Sequence, residues 1–303
     1  MKKLTISIVI PNWNGAYLMR KHLPKVIAVS EGAEVIVADD ASSDESLALL
    51  KEKFPSVRVV TNKKQKGFAG NVNTGVAVAK GDIVVLLNTD VEPEKGFLTP
   101  LLKHFSDPNL FAVGCLEKSY DRGGTVLRGR GEARWRKGLL VHSRGDIDKR
   151  DTAWVSGGSG AFRRAIWNEL GGMDPLYNPF YWEDIDLSYR ALKAGYRLIF
   201  EKKSVIGHYH EEGKIKSDFS PEDVKRIAYR NQFIFIWKNL SDPKEMVVHC
   251  LLTPVRLLRA FVTGDFLMLQ GYILAVMRLL QILNVRYKSS HLWRKRDHEI
   301  FHT

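Results

Sequence analysis

Residues 5–40, TISIVIPNWNGAYLMRKHLPKVIAVSEGAEVIVADD, decide the fold of this chain. The apolar run from Ile6 to Pro11 is typical of a strand that is buried on both faces, and Glu34 to Ala38 is a second, β-branched run. Between them, Tyr17 to Val29 carries a helical pattern. This stretch therefore predicts a strand–helix–strand unit with parallel strands.

The same alternation continues through the first hundred residues. Further helix and strand patterns follow in the order Glu45 to Phe54, Val57 to Thr61, Gly70 to Ala79, Ile83 to Leu87. Such alternation predicts an α/β fold, with a mostly parallel central sheet flanked by helices. Ligands of these sheets bind beyond the carboxyl ends of the strands. Pro11 to Asn14, Asp39–Asp40 and Asn88 to Asp90 are all expected at those ends, around one site.

The pattern is less regular beyond residue 115. Leu116 to Trp154 is basic and glycine-rich, which fits either a mobile loop or a pair of edge strands. Glu183 to Ala194 predicts a helix, and Leu198 to Ile206 predicts a strand pair. We interpret residues 1–237 as one α/β domain.

Residues 238–303 are interpreted as a C-terminal extension of amphipathic helices. Met246 to Val285 is largely apolar, but charged residues interrupt it before it reaches the about 20 residues of a membrane span. Pro243, Pro254 and Gly264 are expected to divide it into two or three helices. Amphipathic helices flanked by basic residues suit a membrane surface. A cap on the α/β domain or a homodimer contact is the alternative.

The composition limits the class of partner. The chain has 303 residues and a formal net charge of +12, which attracts nucleic acid, a phosphorylated substrate or an anionic membrane. No nucleic-acid docking module is recognisable, so we expect no nucleic-acid partner. Cys115 and Cys250 form no CxxC pair, and no secretory signal pattern follows Met1, so we expect a cytoplasmic location. The loop Pro11 to Gly15 lacks the GxGxxG of a dinucleotide oxidoreductase.

Three residues near the predicted strand ends have side chains suited to binding a nucleotide. Asp39 directly follows a buried strand and could accept a hydrogen bond from a base or ribose, although it could instead cap a helix. Trp13 lies on the loop after the first strand, where its ring could stack on a base. Asp90 could bind Mg²⁺ or Mn²⁺ together with diphosphate oxygens; a plain Asx turn is the alternative.

A second acidic group, Glu183, Asp184 and Asp186, opens a predicted helix and directly follows the aromatic residues Phe180 to Trp182. A carboxyl group beside apolar rings has a raised pKa, which suits a general base. Stabilisation of the acids by the helix macrodipole is the structural alternative. Residues two apart in a helix do not share a face, so Asp184 and Asp186 are expected to have different roles.

Two histidines, His208 and His210, follow the last predicted strand. In an extended segment their rings lie on the same face, and one of them could complete a metal shell or hold a phosphate. A zinc pair would need a third soft ligand, which is not found nearby in the sequence. An ordinary surface histidine is the alternative.

Together, these features resemble the family 2 glycosyltransferases of the GT-A fold, in particular the bacterial rhamnosyltransferase-like branch. The resemblance covers about Thr5 to His210 and keeps the order of the family's motifs. The matching stretches are SIVIPNWNG (7–15), VIVADDASSDES (35–46), GFAGN (67–71) with Asn73 and Gly75, LLNTD (86–90), GGMD (171–174) and EDIDL (183–187).

The resemblance implies a role for each matching residue. Asp184 would be the catalytic base, and Asp90 with His208 would bind the metal, although Asn88 replaces the first acid of the family's DxD-type motif. Residues implied in donor binding are Pro11, Asn12, Trp13, Asp39, Gly67, Asn73 and Asn88. Residues implied in acceptor binding are Gly158, Trp182 and Glu183.

The resemblance also implies the reaction. A sugar would move, with inversion, from a nucleotide-diphosphate donor such as dTDP-rhamnose or a UDP-hexose to a hydroxyl of a saccharide or lipid-linked saccharide. Mg²⁺ or Mn²⁺ would be the cofactor. The expected setting is cell-envelope polysaccharide or glycolipid biosynthesis, with the enzyme peripheral on the cytoplasmic face of the membrane. A degenerate nucleotide-sugar-binding protein of the same fold is the alternative.

Overall fold

The first four strands pair in parallel, as the alternating pattern predicts, and form one half of a nine-stranded sheet. This computed structural model describes residues 4–121, 124–209 and 218–301. The strands are β1 (Ile6–Asn12), β2 (Glu34–Asp39), β3 (Arg58–Thr61) and β4 (Ile83–Leu87). The connecting helices are α1 (Ala16–Ala28), α2 (Ser46–Lys53) and α3 (Gly67–Val78).

Alternate side chains of β1 enter two different cores. Ile8 and Ile10 pack with residues of α1 and α2 on one face of the sheet, and Val9 packs with residues of α3 on the other. Both faces are therefore covered by helices, which explains the continuous apolar runs. Helix α3 begins three residues earlier than predicted, because the Asp40 carboxylate accepts hydrogen bonds from the N–H groups of Lys66 and Gly67 at its start.

The second half of the sheet is mixed. Its strands are β5 (Val91–Pro93), β6 (Leu110–Asp121), β7 (Gly124–Arg128), β10 (Ser159–Arg163) and β11 (Arg197–His208). Strand β10 lies antiparallel between β4 and β6, and the strand order is β3-β2-β1-β4-β10-β6-β11-β5, with β7 on β6. Three helices accompany this half: α4 (Leu98–Leu102), α5 (Arg164–Glu169) and α6 (Glu183–Lys193).

For two segments the structure either decides between the alternatives predicted from sequence or corrects the prediction. The described residues between 116 and 154 contain strands: β6 pairs with β7, and β8 (Gly131–Arg136) pairs with β9 (Leu139–Arg144) as a separate hairpin. The strand pair predicted over Leu198 to Ile206 is wrong, because β11 is a single strand parallel to β6. A register shift between Glu201 and Val205 interrupts its pairing, which makes one irregular strand look like two in sequence.

Helices form the rest of the chain. They are α7 (Pro221–Asn239), α8 (Pro243–Val262), α9 (Phe266–Val276), α10 (Leu279–Ser289) and α11 (Asp297–Ile300). Gly264, with a φ of 74°, separates α8 from α9 as predicted. Pro254 does not divide α8, which continues through the proline as one helix of 20 residues.

No single helix within the described residues is long and apolar enough to cross a bilayer. Phe266–Val276 and Leu279–Leu292 reach the required length and composition only as a pair, and a bend of 62° separates them.

The C-terminal helices are joined to α6 by a fully buried carboxylate, that of Asp297. It lies 2.9 Å from Nζ of Lys193 on α6 and accepts hydrogen bonds of 2.7 Å from the N–H groups of Ser241 and Asp242 before α8. Helix α7 runs across the boundary predicted at residue 237, so both sides of that boundary contact α6. The division into two domains stays a prediction.

Candidate active site

The carboxyl ends of β1 and β2 meet as the sequence predicts. Asn12 and Asp39 are buried there, and the Asn12 amide donates to Asp39 at 2.8 Å. The other Asp39 oxygen accepts from the N–H of Ser42. Asn71 on α3 donates to the backbone oxygens of Asn12 and Ala38, which fixes both strand ends. Pro11 is buried in β1, and Trp13 is half-buried on the loop that follows.

Two predicted donor-binding residues contact the segment that leads to α6. The amide of Asn73 bonds both backbone groups of Met173, at 2.7 and 3.0 Å. Gly67 has a φ of 72°, and a Cβ there would lie 2.6 Å from the side chain of Asn178. These contacts hold α3 against residues 173–178, and a donor-binding role for Asn73 and Gly67 stays a prediction.

A glycine loop before β10 connects the predicted base to the predicted metal-binding strand end. The N–H of Gly157 donates to Asp184 at 3.3 Å, and the N–H of Asn88 donates to the oxygen of Gly158 at 3.0 Å. A Cβ on Gly158 would lie 2.4 Å from the Asn88 amide. Asp184 and Asn88 therefore lie on either side of this loop, with Asp90 two residues further along the chain.

Asp90 contacts His208, the partner that the resemblance implies. Nε2 of His208 lies 3.3 Å from Asp90, and its Nδ1 lies 3.3 Å from Glu117 on β6. Burial by itself lowers the pKa of His208, but the hydrogen bonds to both carboxylates outweigh it and raise the pKa to about 10. His210 lies outside the described residues.

The Asn88–Asp90 strand end is suited to a hard divalent cation. The Asp90 carboxylate and the buried Oδ1 of Asn88, which has no hydrogen-bond partner among the described residues, are both oxygen donors. His208 can add a nitrogen only as a neutral ring, so a bound cation would have to displace the proton that Asp90 and Glu117 favour. Across residues 4–121, 124–209 and 218–301, no group of three or more His, Cys, Asp and Glu could hold a metal. With two oxygens from Asp90 and Asn88, this strand end would fit a cation that also binds substrate oxygens.

The three acids at the start of α6 have different environments. Asp184 is half-buried, and burial raises its pKa despite hydrogen bonds from the N–H groups of Ile185 and Gly157. Glu183 is buried with Oε2 unpartnered among the described atoms, and burial followed by the charge of Asp184 raises its pKa well above the usual range. Both are more easily protonated than ordinary carboxyl groups.

Asp186 is fully buried and makes a closed set of ion pairs. It lies 2.8 Å from both Arg190 and Lys238, and it accepts hydrogen bonds from Tyr177 and Asn239. Burial alone would raise its pKa, but the charges of Lys238 and Arg190 bring the pKa well below its usual range. Asp186 therefore holds α6 against α7 and does not face a ligand.

Several residues around the site were missed by the sequence reasoning. Glu117 lies in the segment that was interpreted as irregular, and Lys238 and Asn231 lie on α7, near the predicted domain boundary. Trp182 was expected near the acceptor, but its contacts were not. The centroid of its ring lies 5.0 Å from that of His142 on β9 and 5.2 Å from that of Phe235 on α7. No local pattern signals these residues, because their partners are distant in sequence.

The mixed sheet and the helices on both of its faces form the GT-A fold of glycosyltransferases. GalNAc-T7, solved with UDP, GalNAc and Mn²⁺, superimposes with a TM-score of 0.65 at 21% identity, over 81% of this chain and 50% of that one. A mannosyltransferase from Pyrobaculum calidifontis, solved with GDP-Man and Mn²⁺, gives a TM-score of 0.57 at 16% identity, over 96% of this chain and 81% of that one. These likenesses establish the fold.

The chain belongs to glycosyl transferase family 2, whose sequence model matches residues 7–171. The pre-mycofactocin glycosyltransferase of Mycobacterium tuberculosis is 29% identical over 68% of this chain, which spans 43% of that protein's length. The O-antigen chain rhamnosyltransferase RfbN of Salmonella typhimurium is 24% identical over 68% of this chain and 67% of its own. The N-acetylglucosaminyl-diphospho-decaprenol L-rhamnosyltransferase of M. tuberculosis is 25% identical over 73% of this chain and 80% of its own length.

Because their environments differ, the two α6 aspartates should respond oppositely to removal of their charge. Asp186→Asn should lower the free energy of unfolding by about 3–5 kcal/mol, since Lys238 and Arg190 lose a buried partner. Asp184→Asn should leave stability at pH 7 unchanged or higher, since a raised folded-state pKa means that the fold disfavours the charged form. Urea unfolding of both variants measures this. Equal destabilisation would contradict the assignment.

Proposed function

We propose that this chain is an inverting glycosyltransferase in which Asp184 is the general base. The observation that carries the proposal is the connection from the Asp184 carboxylate, through Gly157 and Gly158, to Asn88 and Asp90. One side of this loop offers a carboxylate with a raised pKa. The other offers oxygen ligands suited to a cation and a diphosphate.

Direct displacement accounts for this arrangement. Asp184 takes the proton of the acceptor hydroxyl while the oxygen of that hydroxyl forms a bond to the anomeric carbon. The bond from that carbon to the diphosphate oxygen breaks on the opposite face, and its electron pair leaves with the nucleoside diphosphate. Bound Mg²⁺ or Mn²⁺, held by Asp90, Asn88 and His208, would neutralise charge on that diphosphate. The products are an inverted glycoside and a proton on Asp184.

The nucleotide end of the donor would lie over β1 and β2. Trp13 is half-buried and can stack on a base, beside Pro11, Asn12 and Asp39. The donor is proposed to be dTDP-rhamnose or a UDP-hexose. Two relatives with rhamnosyltransferase names and a structural neighbour solved with UDP support these choices. On the acceptor side we place Gly158, Trp182 and Glu183.

We further propose that α8 to α10 rest on an anionic membrane surface, close to a lipid-linked acceptor. Residues 243–301 contain nine Lys and Arg but four Asp and Glu, which complements anionic lipid. These helices also expose an apolar face. Its exposed side chains are Val247, Leu251, Val255, Leu258, Phe261, Val262, Phe266, Ile273, Val276, Met277, Leu279, Leu280, Leu283 and Tyr287. A homodimer that buries this face is the competing outcome of the membrane test.

Asp184→Asn tests the proposed base. Release of nucleoside diphosphate, measured over a panel of nucleotide sugars with saccharide and lipid-linked acceptors, should fall by about 10²–10⁴-fold in kcat. The increase in melting temperature caused by donor and Mn²⁺ should be retained, because donor contacts are unchanged. An Asp184→Asn enzyme with wild-type kcat would require another base.

The pH profile supplies the second part of this test. Because Asp184 must be deprotonated and its pKa is raised, kcat of the wild type should rise with pH along a limb above the ordinary carboxyl range. The residual activity of Asp184→Asn should lack that limb. A limb that persists unchanged in the variant belongs to another group.

Vesicle cosedimentation tests the membrane proposal. Leu251 and Leu258 are 69% and 65% exposed on one face of α8, and replacing both with Glu should weaken binding to phosphatidylglycerol-containing vesicles by at least about tenfold. Leu127→Glu, at a 42% exposed leucine on β7, is the matched control and should bind as the wild type does. If the wild type does not bind vesicles, and light scattering shows that it is a dimer while the double variant is a monomer, the face is a subunit interface.

A further inference from the structure

The backbone that leads into α6 wraps around one side-chain amide. Asn231 on α7 is fully buried, and its Nδ2 lies 2.9, 3.0 and 2.9 Å from the carbonyl oxygens of Tyr177, Phe180 and Tyr181. Its Oδ1 accepts a 2.9 Å hydrogen bond from Nε of Arg230. The two N–H bonds of one amide are therefore shared among three carbonyl oxygens of a five-residue stretch.

This stretch includes two residues in a conformation that side chains disfavour. Tyr181 and Trp182 have φ values of 68° and 77°, in the left-handed region, and neither is a glycine. Such residues are strained and persist only where their surroundings impose the conformation. Here the surroundings are on α7, because Asn231 binds the Tyr181 carbonyl and Phe235 packs against the Trp182 ring.

The turn sets the direction of the proposed base. Trp182 is the residue immediately before α6, and Asp184 lies in the first turn of that helix, with Oδ2 3.3 Å from the N–H of Gly157. Lys238 fixes both sides of the turn, because its Nζ lies 2.6 Å from Asp174 and 2.8 Å from Asp186. Between these two anchors, Asn231 supplies the side-chain hydrogen bonds that shape the backbone at Tyr181.

We propose that Asn231 is a positioning residue that acts through the Tyr177–Trp182 turn to aim Asp184 at the acceptor hydroxyl. The inference rests on the proposed function, since it requires Asp184 to be the base. An amide suits this position because it can donate to several carbonyls at once while remaining uncharged. A carboxylate of the same size would only accept hydrogen bonds and would repel the three carbonyl oxygens.

Asn231→Asp is the decisive variant. The turn should relax from its left-handed conformation, and kcat should fall by about 10- to 100-fold because misplacement of a reacting group is costly. Donor-induced thermal stabilisation should be unchanged, since residue 231 contacts none of the strand-end residues proposed to bind the donor.

The acidic limb of kcat should move toward the ordinary carboxyl range, because relaxation of the turn exposes Asp184 and removes part of the burial that raises its pKa. The carboxylate added at position 231 would face the Arg230 guanidinium, which offsets its charge. The charged and titratable groups on the elements packed around the turn are Glu183, Asp186 and Arg190 on α6, Arg230 and Lys238 on α7, and His142 on β9. None of them is changed by the substitution. A loss of stability alone would not move this limb.

Two further variants keep the test decisive. Gln232→Glu makes the same chemical change at the next residue, whose amide donates to Leu140 outside the turn, and it should retain kcat and the limb. If Asn231→Asp does not fold, Arg230→Lys removes the Nε bond to Asn231 and the hydrogen bonds from Arg230 to the carbonyls of Tyr177 and Asn178, so it should loosen the same turn and lower kcat.

The outcomes separate this inference from the proposed function. A folded Asn231 or Arg230 variant with wild-type kcat and an unmoved limb overturns the positioning role. A loss that is confined to donor binding also overturns the positioning role. If Asp184→Asn itself keeps full kcat, the proposed base is wrong, and the proposed function fails independently of Asn231.

Discussion

The buried charge of Asp186 constrains everything around the candidate base. A carboxylate with no exposure is tolerated only when its charge is neutralised and its oxygens are bonded. Here Lys238 and Arg190 neutralise the charge from 2.8 Å at Oδ2, and Tyr177 and Asn239 donate to Oδ1. Lys238 lies at the end of α7, so α6 cannot separate from α7 without exposing an unpaired charge to an apolar interior. The helix that carries Asp184 is therefore fixed on its buried side by α7, which begins 28 residues after α6 ends.

The architecture of the first ninety residues could be predicted from sequence because it depends on local patterns. Strands β1 to β4 and the helices between them follow from apolar runs and turn residues, and the parallel pairing brings Asn12 and Asp39 together. The environment of α6 could not be predicted, since the partners of Asp186 and Asn231 come from distant segments. The irregular pairing of β11 was misread for the same reason, because its continuity depends on its neighbour β6.

The family assignment and the proposed chemistry rest on different parts of the molecule. The family model covers residues 7–171, which include the strand ends with Asp39 and Asp90 but not Asp184. The role of Asp184 is supported by geometry, through the Gly157–Gly158 loop, and by the raised pKa that burial gives it. The C-terminal helices have two different features. Helix α7 packs against α6, which carries the proposed base, while α8 to α10 expose apolar side chains to solvent.

The central claim is that Asp90 and Asp184 serve one substrate from opposite sides of the glycine loop. A crystal structure with Mn²⁺ and a nucleotide sugar, with Mn²⁺ located from its anomalous scattering, tests it most directly. The account predicts a single Mn²⁺ peak at Asp90, shared with diphosphate oxygens, with the Asp184 carboxylate facing the anomeric carbon on the side away from the diphosphate. A nucleotide bound elsewhere, or an Asp184 carboxylate turned away from the sugar, would contradict it.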